Sequence, residues 1–292
     1  MRLPAWITQH LAALRALLVF TVLVGLAYPI VMFGVAQLPG LRGKANGSLV
    51  ENAAGQTVGS RLIGQSFTDA DGKALPKYFQ SRPSAAGDGY DPTSTAASNL
   101  GPESIVDTNA SNPDDSTQSL LTQVCARSKA VGELEGVSGA RPYCTEDGVG
   151  AVLGVFYSRG LSGEVTRVVS VNQPTPATPF LATYHGVRVE NAKPGVDYVA
   201  DGAVAVPIRG NAPDKPAIPA DAVTASASGL DPHISVAYAK LQAPRVARER
   251  GADLGAVLAL VDDNTSGRGL GFMGEPGVDV LELNLALDRQ FP

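Results

Sequence analysis

The stretch "ALLVFTVLVGLAYPIVMFGVA", from Ala16 to Ala36, divides this 292-residue chain into an apolar N-terminal segment and a much longer polar remainder. It contains no charged residue. A helix of this length rises about 30 Å, the hydrocarbon thickness of a bilayer. The run is longer than a usual signal-peptide core of about 7–15 residues, and its ending "GVAQ" is a poor cleavage site. The pattern predicts an uncleaved transmembrane anchor, with a cleavable secretory signal as the alternative.

The charges that flank this segment barely decide its orientation. Two arginines precede it, and Arg42 and Lys44 follow it, so neither side has the clear excess of basic residues that marks the cytoplasm. Most of the chain follows the segment. We expect a short cytoplasmic N-terminus over 1–15 and a large extracytoplasmic domain over 40–292, held at the plasma membrane by a single span.

The two cysteines of the chain, Cys125 and Cys144, flank a polar, glycine-rich stretch without histidine. A metal site would need more ligands. A disulfide that closes this loop is the simplest interpretation, and it implies an oxidising compartment. Two unpaired thiols are the alternative.

Composition and charge exclude some classes of protein. The chain has 44% hydrophobic and 17% charged residues, which is ordinary for a folded protein. Its net charge is −5 and no basic patch is visible, so nucleic acid is not an expected partner. Three of the 23 basic residues and none of the 28 acidic residues precede residue 43, which leaves −8 on the rest. Such a domain would mildly concentrate cations within a screening length of about 8 Å.

The extracytoplasmic part divides into three segments. Residues 45–102 are rich in Gly, Ser and Asn and predict short strands with tight turns. Residues 103–216 combine polar, proline-rich stretches with two strand-like runs, "GAVLGVFYS" (150–158) and "VTRVVSVNQ" (165–173). Helical patterning is weak there, so we interpret 103–216 as a long insertion. Residues 217–292 have the clearest pattern.

Within 217–292, Asp231 and Pro232 predict a helix start, with the aspartate as N-cap and the proline at the first helical position. Pro244 would kink this helix or open a second one, which Gly251 would end. The apolar face of the helix would consist of Ile234, Ala237, Tyr238 and Leu241.

Two more elements complete this segment. Asp253 would cap a helix whose apolar face holds Val257 and Val261, together with Leu254 and Leu258. The run "VLELNLALD" (280–288) alternates and predicts a half-buried strand. The whole chain is therefore predicted to be α+β, with one N-terminal transmembrane helix and a mixed α/β outer domain that carries a long insertion.

The stretch "VTASASGLDPHIS" (223–235) brings Ser226, Ser228, Asp231 and His233 close together in sequence, which raises the question of a hydrolase. A nucleophile elbow needs G-x-S-x-G, and "ASASG" lacks the first glycine and the spacing. A triad also needs an acid that orients the histidine in space, which proximity in sequence does not supply.

The structural interpretation of the same stretch assigns Asp231 to the helix cap, and Ser226, Ser228 and Gly229 to the turn before it. The sequence contains no phosphate-binding loop and no cluster of metal-ligand residues. These observations favour a non-catalytic accessory subunit or a binding module. The rival interpretation is a membrane-anchored envelope hydrolase or a solute-binding protein with a deep pocket between two lobes.

Eight stretches then form a series in one order along the chain. They are "NGSLV" (46–50), "GSRLIGQSF" (59–67), "YFQSRPSAA" (78–86), "YDP" (90–92), "SNLGP" (98–102), "VTASASGLDPHIS" (223–235), "QAPRVARERG" (242–251) and "GEPGVDVLELNLALD" (274–288). With the apolar helix before them, they resemble the C-chain family of bacterial potassium-transporting ATPases (KdpC). The resemblance covers 1–102 and 217–292. The segment 103–216 is longer than the family pattern, and the resemblance does not explain it.

The resemblance implies an accessory subunit of a high-affinity, ATP-driven potassium uptake complex and not an enzyme. Its partners would be a channel-like subunit that conducts potassium, a P-type ATPase subunit that hydrolyses ATP, and a small lipid-embedded subunit. The family is described as a catalytic chaperone that raises the ATP affinity of the ATPase subunit. An extracytoplasmic domain cannot touch cytoplasmic ATP, so ATP would be involved only indirectly, through the ATPase subunit, and no cofactor is expected on this chain. We expect the domain to contact the channel-like subunit.

Several residues are candidates for such a contact. Gln242 precedes Pro244 and is either an interface donor or a solvated amide at a helix end. Asn99 of "SNLGP" would end a strand, with an interface role as the alternative. The serines of 223–235, expected to be exposed, could also face a partner.

Overall fold

The computed structural model describes residues 4–94 and 104–292, which form two compact units divided between Leu62 and Ile63. The first unit begins with one continuous helix, Ala5–Ala36, of 32 residues and mean hydropathy 2.4. None of its apolar window is buried against the rest of the chain. It is the one helix among the described residues that is long and apolar enough to span a membrane. The helix ends at Ala36, where the uncharged run ends, and it begins at Ala5, before the run starts at Ala16.

This helix contains a π-helical turn, Leu23–Ala27, between α1 (Ala5–Val22) and α2 (Tyr28–Ala36). Pro29 explains the turn. Proline lacks an N–H, and its ring clashes with the carbonyl four residues earlier, which here belongs to Gly25. A wider turn relieves such a clash without ending the helix.

The rest of the first unit is a short helix and a hairpin. Helix α3 covers Arg42–Ala45, and strands β1 (Leu49–Glu51) and β2 (Thr57–Ser60) pair antiparallel. The Asn52 carboxamide accepts hydrogen bonds from two backbone N–H groups of the connecting turn, the usual way in which asparagine closes a turn. Short strands joined by a tight turn are what the sequence predicts here.

The second unit contains a five-stranded mixed sheet in the order β5-β6-β4-β3-β7. Strands β4 and β6 are parallel, and the other neighbours are antiparallel. The two strand-like runs of the sequence form β3 and β4, which confirms that prediction. The strands are β3 (Val152–Tyr157), β4 (Val165–Pro174), β5 (Thr183–Tyr184), β6 (Val187–Ala192) and β7 (Val204–Pro207).

Both faces of this sheet are buried. Val152 and Val169 belong to the apolar cluster on one face, and Leu153, Val155 and Val168 belong to the cluster on the other. All five side chains are fully buried. Because successive side chains of a strand point to opposite faces, neighbouring apolar residues of β3 and β4 contribute to both clusters.

A second layer consists of helices around a small antiparallel sheet in the order β8-β10-β9. Its largest apolar cluster joins these helices to Phe79 and Ile218. The strands are β8 (His233–Ser235), β9 (Thr265–Ser266) and β10 (Gly277–Asp279). The helices are α4 (Leu120–Glu135), α5 (Val236–Arg250), α6 (Leu254–Asp263) and α7 (Val280–Gln290). Mixed α and β elements confirm the predicted α+β class.

Two helix boundaries confirm the sequence patterns. The Asp253 carboxylate accepts a hydrogen bond from the backbone N–H of Ala256 at 3.1 Å and caps α6. Gly251 ends α5 with φ 60°, a left-handed conformation that glycine adopts at low cost. Helix α5 continues through Pro244, so this proline does not open a second helix.

The run "VLELNLALD" is wrongly predicted as a strand, because it forms helix α7. Asp279 caps this helix by accepting the N–H of Glu282 at 2.9 Å. Alternating leucines would leave every second residue on an exposed face of a strand. In α7 both series are covered, since the helix is buried on most of its circumference. The buried residues are Val280, Leu281, Leu283, Asn284, Leu285 and Leu287.

The segment 103–216 contains a helix that its weak patterning did not predict, the 16-residue α4. Cys125 of α4 and Cys144 form a disulfide with a Cα–Cα distance of 5.4 Å. Arg127 of α4 donates to the carbonyl of Val223 at 3.1 Å, and Arg141 donates to that of Ile218 at 2.6 Å. The predicted insertion is therefore bound to the C-terminal segment and lies in the same compact unit.

A buried ion pair also connects these segments, between Arg245 of α5 and Glu135 at the end of α4. Both guanidinium–carboxylate distances from Nε are 3.0 Å, and the two side chains are 2% and 0% exposed. Arg245 also donates to the carbonyls of Pro76 and Tyr78. Burial raises the pKa of the Glu135 carboxyl above its ordinary value, although Arg245 counteracts part of this rise.

We predict that Arg245→Met lowers the free energy of unfolding by about 3–5 kcal/mol at pH 7, because it leaves the Glu135 side chain buried without its cation. The matched control is Arg167→Met. Arg167 pairs with Glu190 on the sheet, but these side chains are 40% and 47% exposed, so its loss should cost about 1 kcal/mol or less.

Urea unfolding of the full chain in detergent, followed by circular dichroism, measures both effects. The loss from Arg245→Met should grow as pH rises. Without Arg245 the raised pKa of Glu135 rises further, and a carboxyl with a raised pKa stabilises the fold only while it is protonated. Equal losses for the two variants would contradict the central role of the buried pair.

Candidate functional site

The stretch 223–235 forms a loop and then strand β8, and α5 begins only at Val236. The predicted cap is therefore wrong, because β8 pairs with β10 before the helix starts. Ser235 caps α5, and its Oγ accepts the N–H of Tyr238 at 3.0 Å. The helix does not start at Asp231 and Pro232, as predicted, because the next residues, His233–Ser235, pair with β10 instead.

Asp231 instead holds the loop to a distant part of the chain. Its Oδ1 accepts the backbone N–H of His233 at 2.9 Å, and its Oδ2 pairs with Arg82 at 3.0 Å. Burial opposes its ionisation, but the hydrogen bonds from His233 and the charge of Arg82 keep the pKa of Asp231 below its ordinary value. The carboxylate is thus charged at neutral pH and serves as a structural anion.

Segments that the sequence separates by up to about 170 residues converge on this loop. Arg82 also donates to the carbonyl of Thr224 at 3.3 Å. Ser84 Oγ donates to the carbonyl of Gly229 at 2.6 Å, and the Gly64 N–H donates to that of Leu230 at 2.8 Å. Loop carbonyls that would otherwise need water are thereby satisfied by protein donors.

Two glycines are required by this close packing. A Cβ on Gly64 would lie 2.4 Å from the Tyr90 ring and 2.7 Å from the Asp231 carbonyl oxygen. Gly229 has φ 70°, and a Cβ there would lie 2.8 Å from Cβ of Ala86. The prediction that Gly229 belongs to a turn agrees with this geometry, since its N–H donates to the carbonyl of Ser226 at 3.2 Å.

Tyr90 closes the other side of the loop. Its hydroxyl donates to the carbonyl of Arg82 at 2.7 Å, and its N–H donates to Ser84 Oγ at 2.8 Å. Burial raises the pKa of Tyr90 to about 12. Its φ of 55° is uncommon for a bulky residue and persists only where the surroundings enforce it.

The serines and the histidine of the loop do not assemble into a catalytic arrangement. Ser228 is exposed, and its Oγ accepts the N–H of Leu230 at 3.1 Å. Ser226 is only 7% exposed, so the expectation of an exposed serine is wrong there. The His233 ring lies 3.3 Å from Asp231 Oδ1. Across 4–94 and 104–292 the structure shows no hydrogen bond between this ring and a serine.

Gln242 is not at a helix end but in the middle of α5, and it is fully buried. Its carboxamide accepts the N–H of Gln80 at 2.6 Å and donates to the carbonyl of the same residue at 3.1 Å. Asn284 of α7 does the same for Phe79, at 2.9 and 3.0 Å. Gln242 is therefore not a solvated amide at a helix end. It serves the scaffold, because its amide replaces a strand partner for the backbone of Gln80.

Asn99 lies outside the residues that the structure describes, so its predicted role stays a prediction. Within the described ranges no group of three or more His, Cys, Asp or Glu could hold a metal ion. A shallow, open depression on the five-stranded sheet is lined by Tyr157, Glu164 and His185. It shares no residue with the 223–235 loop.

The contacting residues Arg82, Ser84 and Tyr90 were missed as site residues by the sequence analysis. They do lie in stretches quoted for the family resemblance, "YFQSRPSAA" and "YDP". The family resemblance of these stretches was the available signal, but nothing in a single sequence indicates which of them touch.

Comparisons with known proteins extend the resemblance. The sequence model of the family described as "K+-transporting ATPase, c chain" matches residues 10–136 and 195–289. This match enters the predicted insertion from both sides and leaves 137–194 outside, so the family pattern covers more of the chain than the eight stretches indicate.

Curated relatives align over nearly the whole chain. The potassium-transporting ATPase KdpC subunit of Mycobacterium tuberculosis strain H37Rv is 37% identical over 281 residues, which are 96% of this chain and 98% of the relative. The subunit of the same name from Myxococcus xanthus is 36% identical over 284 residues, 97% of this chain and 89% of the relative. That of Caulobacter vibrioides NA1000 is 37% identical over 280 residues, 96% and 92% of the two chains.

We predict that His233 titrates above its ordinary pKa of 6.5, because the hydrogen bond to Asp231 favours the protonated ring and outweighs burial. Asp279 and Glu282 add to the rise through their charges. Asp231→Asn should lower the midpoint. NMR titration of the three histidines, assigned with His233→Gln, measures it.

The same shift predicts a pH-dependent stability. Because the pKa of His233 is raised in the folded state, this histidine stabilises the fold below pH 6.5, and the contribution is lost as pH rises through the folded-state pKa. His233→Gln should therefore destabilise the protein more at pH 5.5 than at pH 8. A midpoint at or below 6.5, together with a pH-independent effect of His233→Gln, would refute the charged pairing.

Proposed function

Because this chain belongs to the KdpC family, the C chains of potassium-transporting ATPases, we propose that it is a non-catalytic accessory subunit that assists assembly of the complex and raises the ATP affinity of the ATPase subunit. The non-catalytic part of this proposal rests on one observation: polar groups of the 223–235 loop are bonded to other segments of the chain. Its aspartate, its glycine turn and its carbonyls are engaged by Arg82, Ser84 and Gly64. Such a loop supports a rigid surface and has no free nucleophile–base pair.

The large unit is proposed to lie outside the cytoplasm, with residues 1–15 inside. Two observations support this placement. The helix Ala5–Ala36 is apolar and uncovered by its own chain, as a segment that faces lipid or a partner helix would be. The disulfide between Cys125 and Cys144 suits an oxidising compartment.

The proposed partners are the channel-like subunit that conducts potassium, the P-type ATPase subunit and a small lipid-embedded subunit. In this placement the chain does not bind cytoplasmic ATP itself. Its outer domain would contact the channel-like subunit, and the effect on ATP would be a coupling free energy of about 1–3 kcal/mol transmitted through the assembly. ATP is thus a ligand of the complex and not of this chain.

We predict that removal of this chain from the reconstituted complex raises the dissociation constant of ATP by roughly 5- to 150-fold, which corresponds to that coupling. Binding of a fluorescent ATP analogue to complexes with and without the chain measures the change. The chain with Ser228→Ala serves as the control. Because Ser228 does no chemistry in this proposal, adding this variant back should restore the normal ATP affinity. Equal ATP affinity with and without the chain, in otherwise intact complexes, would exclude the chaperone role.

Orientation is tested by two variants that each carry one new cysteine. Because Cys125 and Cys144 are joined in a disulfide, the new cysteine supplies the free thiol. Leu161→Cys places a thiol at an 83% exposed position of the outer unit, and Gln9→Cys places one near the start of the helix. In intact spheroplasts, a membrane-impermeant maleimide should label Cys at 161 at once and Cys at 9 only after lysis. The reverse pattern would require the opposite orientation.

A further inference from the structure

The chain turns sharply just after the apolar N-terminal helix. The turn consists of Leu38, Pro39, Gly40 and Leu41, and the Leu41 N–H closes it on the Leu38 carbonyl at 3.0 Å. Gly40 has φ 85°, the conformation that a turn with proline in its second position requires of its third residue. Helix α3 follows at once. The residues after the apolar helix are therefore redirected by the turn and do not continue the same helix outward.

The turn and α3 together form a juxtamembrane segment, residues 37–45, that exposes both leucines and basic side chains. Leu38 is 52% exposed and Leu41 42%, and Arg42 and Lys44 of α3 are exposed as well. In the part of the chain that the structure describes, neither basic side chain forms an ion pair. The segment therefore presents two uncompensated positive charges next to two apolar side chains.

The backbone of the juxtamembrane segment is closed on itself. The Arg42 N–H donates to the Leu38 carbonyl at 3.2 Å, and the Ala45 N–H donates to the Leu41 carbonyl at 2.9 Å. The Asn46 N–H donates to the Arg42 carbonyl at 3.0 Å. A backbone that enters the edge of a bilayer must satisfy its polar groups internally, because lipid chains offer no partner. These N–H groups would remain paired at a lipid surface.

Position and charge both favour lipid as the occupant of this segment. A turn of this kind keeps its first and fourth Cα atoms within about 7 Å of each other, so Leu41 stays near the helix end, at the depth of the headgroups. No acidic residue precedes Glu51, whereas bacterial lipid surfaces are anionic. Basic residues beside leucines are typical of segments that lie on such surfaces. A second copy of this chain in the same membrane would bring the same two cations to the same depth, where they would repel each other.

We infer that the juxtamembrane segment binds anionic lipid headgroups of the membrane that the apolar helix spans. Arg42 and Lys44 contact the phosphates, and Leu38 and Leu41 lie at the boundary with the acyl chains. The inference rests on the membrane placement proposed above, adds the class of lipid, and holds for either orientation of the helix. Such binding fixes the depth of the helix at this end, because basic side chains that flank a span anchor it in the interface.

The test uses the full-length chain in nanodiscs of phosphatidylglycerol and phosphatidylcholine, in which one of the two lipids carries brominated acyl chains. Leu41→Cys, labelled with a fluorophore that bromine quenches, reports which lipid lies beside the segment. We expect brominated phosphatidylglycerol to be preferred at least about fivefold, because a single basic residue near an anionic surface contributes an effect of that order. Arg42→Gln combined with Lys44→Gln should abolish the preference. The matched control is Arg15→Gln, which removes a basic residue at the other end of the uncharged run and should leave the preference unchanged.

A second label, introduced by Val22→Cys within the apolar helix, separates two kinds of failure. A label at position 41 that neither lipid quenches overturns the inference, because the segment then lies in water or against a second copy of the chain. Equal quenching by the two lipids overturns it as well, as does a preference that survives the double variant. If position 22 is quenched in these cases, the helix spans the bilayer and only the lipid site is wrong. If neither lipid quenches position 22, the proposed membrane placement itself fails.

Discussion

The buried charge of Arg245 is the constraint on which the rest of the large unit depends. A guanidinium that is 2% exposed is tolerated only if anions and carbonyls surround it. Glu135 supplies the carboxylate, the segment 76–78 supplies two carbonyls, and Gln242 accepts a further hydrogen bond at 3.0 Å. One side chain thus fixes the end of α4, the middle of α5 and the turn at 76–78.

The position of the 76–78 turn also affects the 223–235 loop. Once 76–80 is held by Arg245, Gln242 and Asn284, the residues that follow reach the loop, and Arg82 meets Asp231. These contacts explain why Asp231, which resembles a catalytic group in the sequence, has a structural role.

The segment 103–216 takes part in the same set of contacts. Helix α4 carries Glu135, and its Arg127 reaches the carbonyl of Val223. The disulfide holds α4 to the residues that lead into the five-stranded sheet. The family match covers α4 as well, whereas the sheet strands β3 to β6 lie in the part that it leaves out.

The sequence by itself determined the elements whose signals are local. The N-terminal apolar helix follows from an uncharged run, α6 from its cap at Asp253, the end of α5 from Gly251, and strands β3 and β4 from valine-rich runs. Tertiary structure decided the rest. Alternating leucines became a helix because α7 is covered on most sides, and Asp231 lost its cap to Ser235 because β10 was there to pair with β8. A local pattern reports propensity and the period of burial, whereas the partner that completes a strand or neutralises a buried charge lies far away in the chain and becomes known only when the fold brings it near.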